Sequence, residues 1–258
     1  IDSLDDFKGV LRWTHEEGLS FTLLAGGSNV LVSDLGVRGV TGKLTGPEFH
    51  RCELRDALAV IGAGVTVRDM LDWLESNGLT NLEFMESIPG TLGGGMQMNA
   101  GAWGKCLGDH LEWIRCLDRQ GVEAIVPRHD LDLGYRRCEF LKNRFCSEAA
   151  FRVKHRERNA ISAERAEIRE RRAWMSGYRS AGSFFKNPAE DKAGRLLEAV
   201  GMHRQRVGGA WVGTHHANFI IVESAATASD VSALAQKGRV AVSEAFAVEL
   251  EPEVKSLQ

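Results

Sequence analysis

Six glycines between Ser87 and Gly104 constrain this chain more than any other feature of it. The stretch reads Ser-Ile-Pro-Gly-Thr-Leu-Gly-Gly-Gly-Met-Gln-Met-Asn-Ala-Gly-Ala-Trp-Gly, and little of it can pack by itself. Glycine loses more backbone entropy on folding than any other residue, so such a run belongs where backbone must approach something closely. Composition leaves two readings open. One is a tight loop between buried elements; the other is a cradle whose backbone N–H groups face a phosphate or a flat ring.

A companion loop, Ala25-Gly26-Gly27-Ser28-Asn29, lies between two β-like runs, Phe21–Leu24 and Val30–Val32. It can offer consecutive N–H groups and a hydroxyl to a diphosphate, while strand-turn-strand with Gly-Ser-Asn is equally hairpin chemistry. Neither loop has the G-x-x-x-x-G-K-[ST] pattern or forms a G-x-G-x-x-G turn into a helix. That disfavours a classical kinase and a Rossmann dehydrogenase. The 258 residues suffice for one large domain or two ordinary ones, and 43% apolar with 26% charged residues suits a soluble globular chain. A net charge of −3 gives no reason to expect nucleic acid or an anionic membrane as partner. No apolar run approaches the roughly 20 residues that span a bilayer, and the N-terminus lacks a signal-peptide shape. The five cysteines form no C-x-x-C pair, which argues against a disulfide framework and a zinc site and fits a reducing cytoplasm.

Along the chain, Ser3-x-x-Asp6 predicts a capped helix carrying Leu4, Phe7, Val10 and Leu11, stopping near Gly18. Residues 57–65 predict a strand, and Thr66-x-x-Asp69 caps a helix with Val67, Met70, Leu71 and Leu74 on one face. Residues 111–117 and 122–126 predict a hairpin, followed by a short strand at Phe151–Val153. Arginine and glutamate dominate residues 152–172, as in an exposed helix or a linker, and the domain boundary is placed here, at 154/155. Arg165, Arg169, Arg171 and Arg172 could meet a phosphate; a solvated helix face accounts for most of these charges. Beyond lie a short helix over 193–200, a buried strand from Phe219 to Val222, a helix capped by Thr227-x-x-Asp230, and a strand-like tail over 248–254.

Two further residues can do chemistry. Ser183, between Gly182 and Phe184, is a turn residue or a proton donor. Glu253, after Pro252, is an exposed strand glutamate or an acid raised by apolar neighbours. Six motifs in order resemble the UDP-N-acetylenolpyruvoylglucosamine reductase family: Leu24-Ala-Gly-Gly-Ser-Asn-Val-Leu-Val-Ser-Asp34; Ile88-Pro-Gly-Thr-Leu-Gly-Gly through Asn99-Ala-Gly-Ala-Trp-Gly104; Gly134-Tyr-Arg136; Ala181-Gly-Ser-Phe-Phe-Lys-Asn-Pro188; His216-Ala-Asn-Phe-Ile220; and Leu250-Glu-Pro-Glu-Val254. The resemblance runs nearly from the first residue to the last.

The resemblance implies an α+β protein, with a two-lobed FAD-binding domain of vanillyl-alcohol-oxidase type over 1–154. A C-terminal α+β substrate-binding domain would follow over 155–258. FAD would be held by Ala25, Gly26, Gly27, Ser28, Asn29 and Val30, and by Ile88, Pro89, Gly90, Thr91, Gly93, Gly94, Asn99, Ala100 and Gly101. NADPH would be the co-substrate and an enolpyruvyl UDP-sugar the substrate, contacted by Tyr135, Arg136, Lys186 and Asn187. Arg136 and Glu253 would stabilise developing negative charge, and Ser183 would protonate C2. No metal is implied, and the expected protein is a monomer in the bacterial cytoplasm, acting in peptidoglycan precursor synthesis.

Some positions depart from the family pattern. The strand expected before the Ser3 helix is missing, so some contacts of the FAD lobe are expected to be absent. Cys138 replaces a serine and Glu223 an asparagine, and residues 174–179 lack the usual Gln-Pro. The short loop between Val126 and Phe151 points to the more compact subtype. Read without the resemblance, the two loops also suit another FAD oxidoreductase, or a flavin- or nucleotide-binding module with no catalysis.

Overall fold

Ser3 opens the first helix, α1 (Leu4–Glu16), its hydroxyl accepting from the Asp6 N–H at 3.0 Å. A cap of this kind stabilises a helix by about 1 kcal/mol. The computed structural model describes residues 1–258, which divide into two compact units. The first comprises Ile1–Gly27 and Gly39–Ala173, the second Ser28–Arg38 and Trp174–Gln258. This division differs from a boundary at 154/155 in two ways. The charged segment after residue 154 folds with the first unit, and residues 28–38 fold with the second.

In the first unit α1 turns Phe7 and Leu11 inward, and the Phe7 ring packs near Phe21, Phe49 and Phe145 with centroids 5.9–6.3 Å apart. A five-stranded antiparallel sheet supports this core, in the order Glu123–Pro127, Leu111–Asp118, Arg144–Arg152, Leu58–Gly62, Cys52–Arg55. The 111–127 hairpin forms as predicted. The short strand expected at Phe151–Val153 is instead the nine-residue central strand Arg144–Arg152. Six of its consecutive residues are buried, so it carries no alternating pattern to reveal it. Thr66 caps α2 (Val67–Ser76), which buries Val67, Met70, Leu71 and Leu74 as its spacing requires.

The glycine-rich stretch contains a short helix, α3 (Leu92–Gln97), where neither sequence reading has one. Each of its three glycines costs about 1 kcal/mol against alanine, so propensity alone would not form it. Packing does. Leu92 and Met96 are fully buried, while a Cβ on Gly93 would sit 2.9 Å from Ala63 Cβ and one on Gly95 3.1 Å from Leu107 Cδ1.

The segment 152–172 forms α4 (Arg158–Arg171), and it is not a purely solvated face, because Ile161, Arg165 and Ile168 are buried. Arg165 donates to Asp72 at 2.6 Å, to Glu86 at 2.7 Å and to Glu75, and Arg169 donates to Glu86. Arg165 is thus committed to carboxylates, whereas Arg169 and Arg171, paired with Glu86 and Glu167, stay more than half exposed.

The second unit is a four-stranded sheet ordered Ser180–Ser183, Phe219–Val222, Ala210–Val212, Arg206–Val207. Its helices are α5 (Ala193–Ala199) and α6 (Ala228–Phe246), the latter opened by the Thr227/Asp230 capping box. Phe21–Leu23 pairs in parallel with Val40–Gly42, and Val30–Val32 pairs in parallel with Lys255–Leu257. The Ala25–Asn29 loop is therefore not a hairpin turn; the chain passes there from one unit to the other. The terminal strand is Lys255–Leu257, so Glu253 precedes the strand instead of lying within it.

Candidate active site

In the first unit the two glycine loops meet backbone to backbone. A Cβ on Gly26 would lie 2.7 Å from Gly90 Cα, and one on Gly94 3.1 Å from Ala25 Cβ. Ser87 and Gly90 hold left-handed backbone angles, φ 63° and 110°, that bend the chain around Ile88 and Pro89. Gly26, Gly27 and Pro89 remain exposed, and Gly27 (φ 68°) has open space where a side chain would go. Several expected N–H donors are committed within the protein: Ile88 to Met85, Gly93 to Ala63, Asn99 to Met96 and Ala100 to Gly95. These positions contribute shape rather than hydrogen bonds through their amides.

Asn99 is 4% exposed, and its side chain braces the fold. Its Oδ1 accepts from the Gly108 N–H at 2.9 Å and its Nδ2 donates to Gly134 O at 3.0 Å. Gly134 begins the turn between Leu133–Gly134 and Arg137–Cys138, with Tyr135 and Arg136 at its tip. Arg136 has φ 53°, a conformation most residues hold only where the surroundings impose it. Its Nη2 donates to Gly101 O at 2.9 Å, and its guanidinium lies 5.1 Å from the centroid of the exposed Tyr135 ring. Glycine stretch and arginine are thus one assembly. Burial, and then the charge of Arg136, pull the Arg172 guanidinium below its ordinary value, with Glu86 opposing.

In the second unit Ser183 ends its strand after a bulge. Ser180 pairs with Ile221 and Ser183 with Phe219, so three steps on one strand oppose two on the other. Gly182 takes up the extra residue at φ 79°. Such bulges re-aim the side chain that follows, here Ser183. The next residues run beside the Glu253 segment. Glu253 N donates to Phe184 O at 2.8 Å, Lys186 N to Glu251 O at 2.9 Å, and Phe185 bridges Pro252. Ser183 and Glu253 are therefore held on adjoining backbone.

Asn218 fixes this arrangement, and the sequence reading assigned it no role although it lies in a quoted motif. Its side chain, 2% exposed, accepts from Phe185 N at 2.8 Å and donates to Phe185 O at 2.7 Å. Neighbouring His216 accepts at Nδ1 from the Asn218 N–H and stacks on Trp174; burial, with His203 nearby, lowers its pKa. Lys186 is paired with Glu251, and Asn187 Oδ1 caps α5 through Ala193 N at 3.1 Å.

Residues 174–257 match the family model described as UDP-N-acetylenolpyruvoylglucosamine reductase, C-terminal domain, and residues 1–124 match the one described as FAD binding domain. The UDP-N-acetylenolpyruvoylglucosamine reductase of Pelobacter propionicus is 37% identical over 98% of this chain and 86% of its own length. That of Bacillus subtilis is 31% identical over 98% and 84%. The crystal structure of UDP-N-acetylenolpyruvylglucosamine reductase from Thermus caldophilus superposes with a TM-score of 0.87 at 29% identity, covering all of this chain and 91% of that one.

Proposed function

The chain belongs to the UDP-N-acetylenolpyruvoylglucosamine reductase family, and from that membership we propose which of its residues carry the reaction. It is an FAD-dependent oxidoreductase of peptidoglycan precursor synthesis. With NADPH it reduces the enolpyruvyl group of UDP-N-acetylglucosamine-enolpyruvate to UDP-N-acetylmuramate. Its architecture is that of the family, an FAD-binding part followed by an α+β substrate-binding part. The adjoining backbone of Ser183 and Glu253 is the observation that carries the assignment of roles.

The side-chain-poor backbone at Ala25–Gly27 and Ile88–Gly94, exposed at Gly26, Gly27 and Pro89, fits FAD, and a Cβ at Gly26 would already strike Gly90. Ser28, Asn29, Val30, Asn99, Ala100 and Gly101 complete the FAD-holding set. FAD, when bound, supplies the acceptor for the hydride of NADPH and the donor of hydride to C3 of the enolpyruvyl group. Addition at C3 leaves an electron pair on C2, delocalised into the adjoining carboxylate. Arg136 stabilises that charge as a cation, and Glu253 does so as an acid donating a hydrogen bond. Ser183 Oγ gives its proton to C2 and regains one from water. A hydroxyl is a weak acid, so this step depends on positioning against a strongly basic carbon. Tyr135, Lys186 and Asn187 bind the UDP-sugar, Lys186 by exchanging Glu251 for a diphosphate oxygen. We place the enzyme in the bacterial cytoplasm as a monomer; no helix is long and apolar enough to cross a membrane.

Anaerobic titration tests this reading. NADPH should bleach the flavin and the enolpyruvyl UDP-sugar should restore its colour; a flavin that this substrate leaves bleached would refute the assignment. In Glu253→Gln, bleaching should proceed within a few-fold of the parent rate, while reoxidation slows by about 10²-fold. An unchanged reoxidation rate would return Glu253 to a structural role. Gly26→Ala should force the loops apart and weaken FAD binding about tenfold, the effect of roughly 1–3 kcal/mol of overpacking. Titration of the apoprotein with FAD reads this directly, and an unaltered Kd would mean that the loop contact does not shape the flavin site.

A further inference from the structure

The Asn29 side chain joins the FAD loop to the proposed acid. Asn29 Nδ2 donates to the main-chain oxygen of Glu253 at 3.2 Å, and Asn29 O accepts from the Lys255 N–H at 3.0 Å. The Glu253 N–H is held by Phe184, whose carbonyl accepts from it at 2.8 Å. The Glu253 main chain is thus suspended between the residue after Ser183 and the last residue of the Ala25–Asn29 loop. We infer that Asn29 is a positioning residue for Glu253, setting where its carboxyl stands when charge develops on the substrate, in addition to its place in the FAD loop. The inference rests on the role of Glu253 proposed above.

The rest of the 28–38 segment is secured independently of Asn29. Val30–Val32 pairs with Lys255–Leu257, Ser33 N donates to Leu257 O at 2.8 Å, and Asp34 caps α6. Asp34 does so by accepting from Ala228 N at 2.6 Å and Ser229 N at 3.0 Å. Hydrogen bonds from Ser229 and from those two amides hold its carboxyl below the usual range, so the cap is ionised at neutral pH. Loss of the Asn29 amide therefore removes one hydrogen bond from the Glu253 carbonyl without releasing the segment. Asn29→Asp keeps the shape but replaces the donor with an oxygen that repels that carbonyl.

The experiment uses the full chain with FAD and measures the two half-reactions separately, with FAD affinity of the apoprotein and thermal melting alongside. In Asn29→Asp, reoxidation by the enolpyruvyl UDP-sugar should slow about tenfold more than reduction by NADPH, as expected for losing one well-placed hydrogen bond and gaining a repulsion. Asn29→Ala should show the same asymmetry at about three- to fivefold. Added to Glu253→Gln, Asn29→Asp should slow reoxidation no further relative to reduction, because the two residues act as one unit. Equal slowing of both half-reactions, or a loss confined to FAD affinity, would overturn the inference and leave Asn29 a cofactor residue only. A further slowing of reoxidation by Asn29→Asp in the Glu253→Gln background would overturn it too, since Asn29 would then act by another route. If Glu253→Gln alone leaves reoxidation intact, it is the role of Glu253 that has failed, and the inference falls with it.

Discussion

Ser183→Ala is expected to leave reduction of the flavin by NADPH within about twofold of the parent rate and to slow reoxidation by the enolpyruvyl UDP-sugar by about 10²–10⁴-fold, the range for losing a positioned proton donor. Reduction by NADPH transfers a hydride and needs no acid at C2, whereas completing the product requires a proton there. The backbone supports assigning that proton to Ser183. The bulge at Gly182 turns the serine out of strand register, and Asn218 clamps Phe185 two residues on, so the hydroxyl sits on a short, fixed lever. Anaerobic stopped-flow absorbance separates the two half-reactions in one preparation. Equal slowing of both would mean that Ser183 shapes the flavin environment, and the donor would have to be sought elsewhere.

Helix caps and periodic helices are legible in the sequence because their signals are local. Ser3, Thr66 and Thr227 each cap the helix that their spacing with Asp6, Asp69 and Asp230 announces. What is not legible depends on partners far along the chain. Phe21–Leu23 and Val30–Val32 look like two arms of a hairpin, yet each pairs in parallel with a different segment, the second with residues near the C-terminus. The α3 helix is hidden by its own glycines, whose purpose is contact with Ala63 and Leu107. Among the proposed site residues, Arg136, Ser183 and Glu253 are visible through motif resemblance. The bracing amides of Asn99 and Asn218 could be found only once their backbone partners were in place. Arg165 of α4 misleads in the opposite direction: a basic run suggests a phosphate, while the acids that neutralise this arginine lie about α2 and the start of the glycine stretch.

Arg165→Met should therefore destabilise the fold by about 3–5 kcal/mol, the cost of removing one partner from a buried ionic cluster. The arginine side chain is 4% exposed, and its carboxylates differ in weight. Asp72, at 55% exposure, is well screened and adds little, while Glu86, at 10%, carries most of the cost. Urea denaturation of the two proteins measures the loss, and a shift below about 1 kcal/mol would mean that water satisfies the acids instead. Glu86→Gln added to Arg165→Met should recover part of it, because the stranded charge disappears. The pH dependence follows from Glu86. Burial alone would raise its pKa, but hydrogen bonds from Arg165 and Arg169 outweigh burial and hold it below the ordinary value. A carboxyl depressed in the folded state stabilises the fold fully above its unfolded pKa and loses that contribution as pH falls through the folded value. The parent protein should thus lose stability on acidification below the usual glutamate range, and Arg165→Met should lose less over the same interval. Glu86 immediately precedes Ser87, so the cluster also anchors the N-terminal end of the glycine stretch, while Gly90 O, accepting from Val67 N at 3.0 Å, secures it four residues on. With one anchor gone, Ile88 and Pro89 lose their fixed course past Gly26, and FAD affinity should fall together with stability.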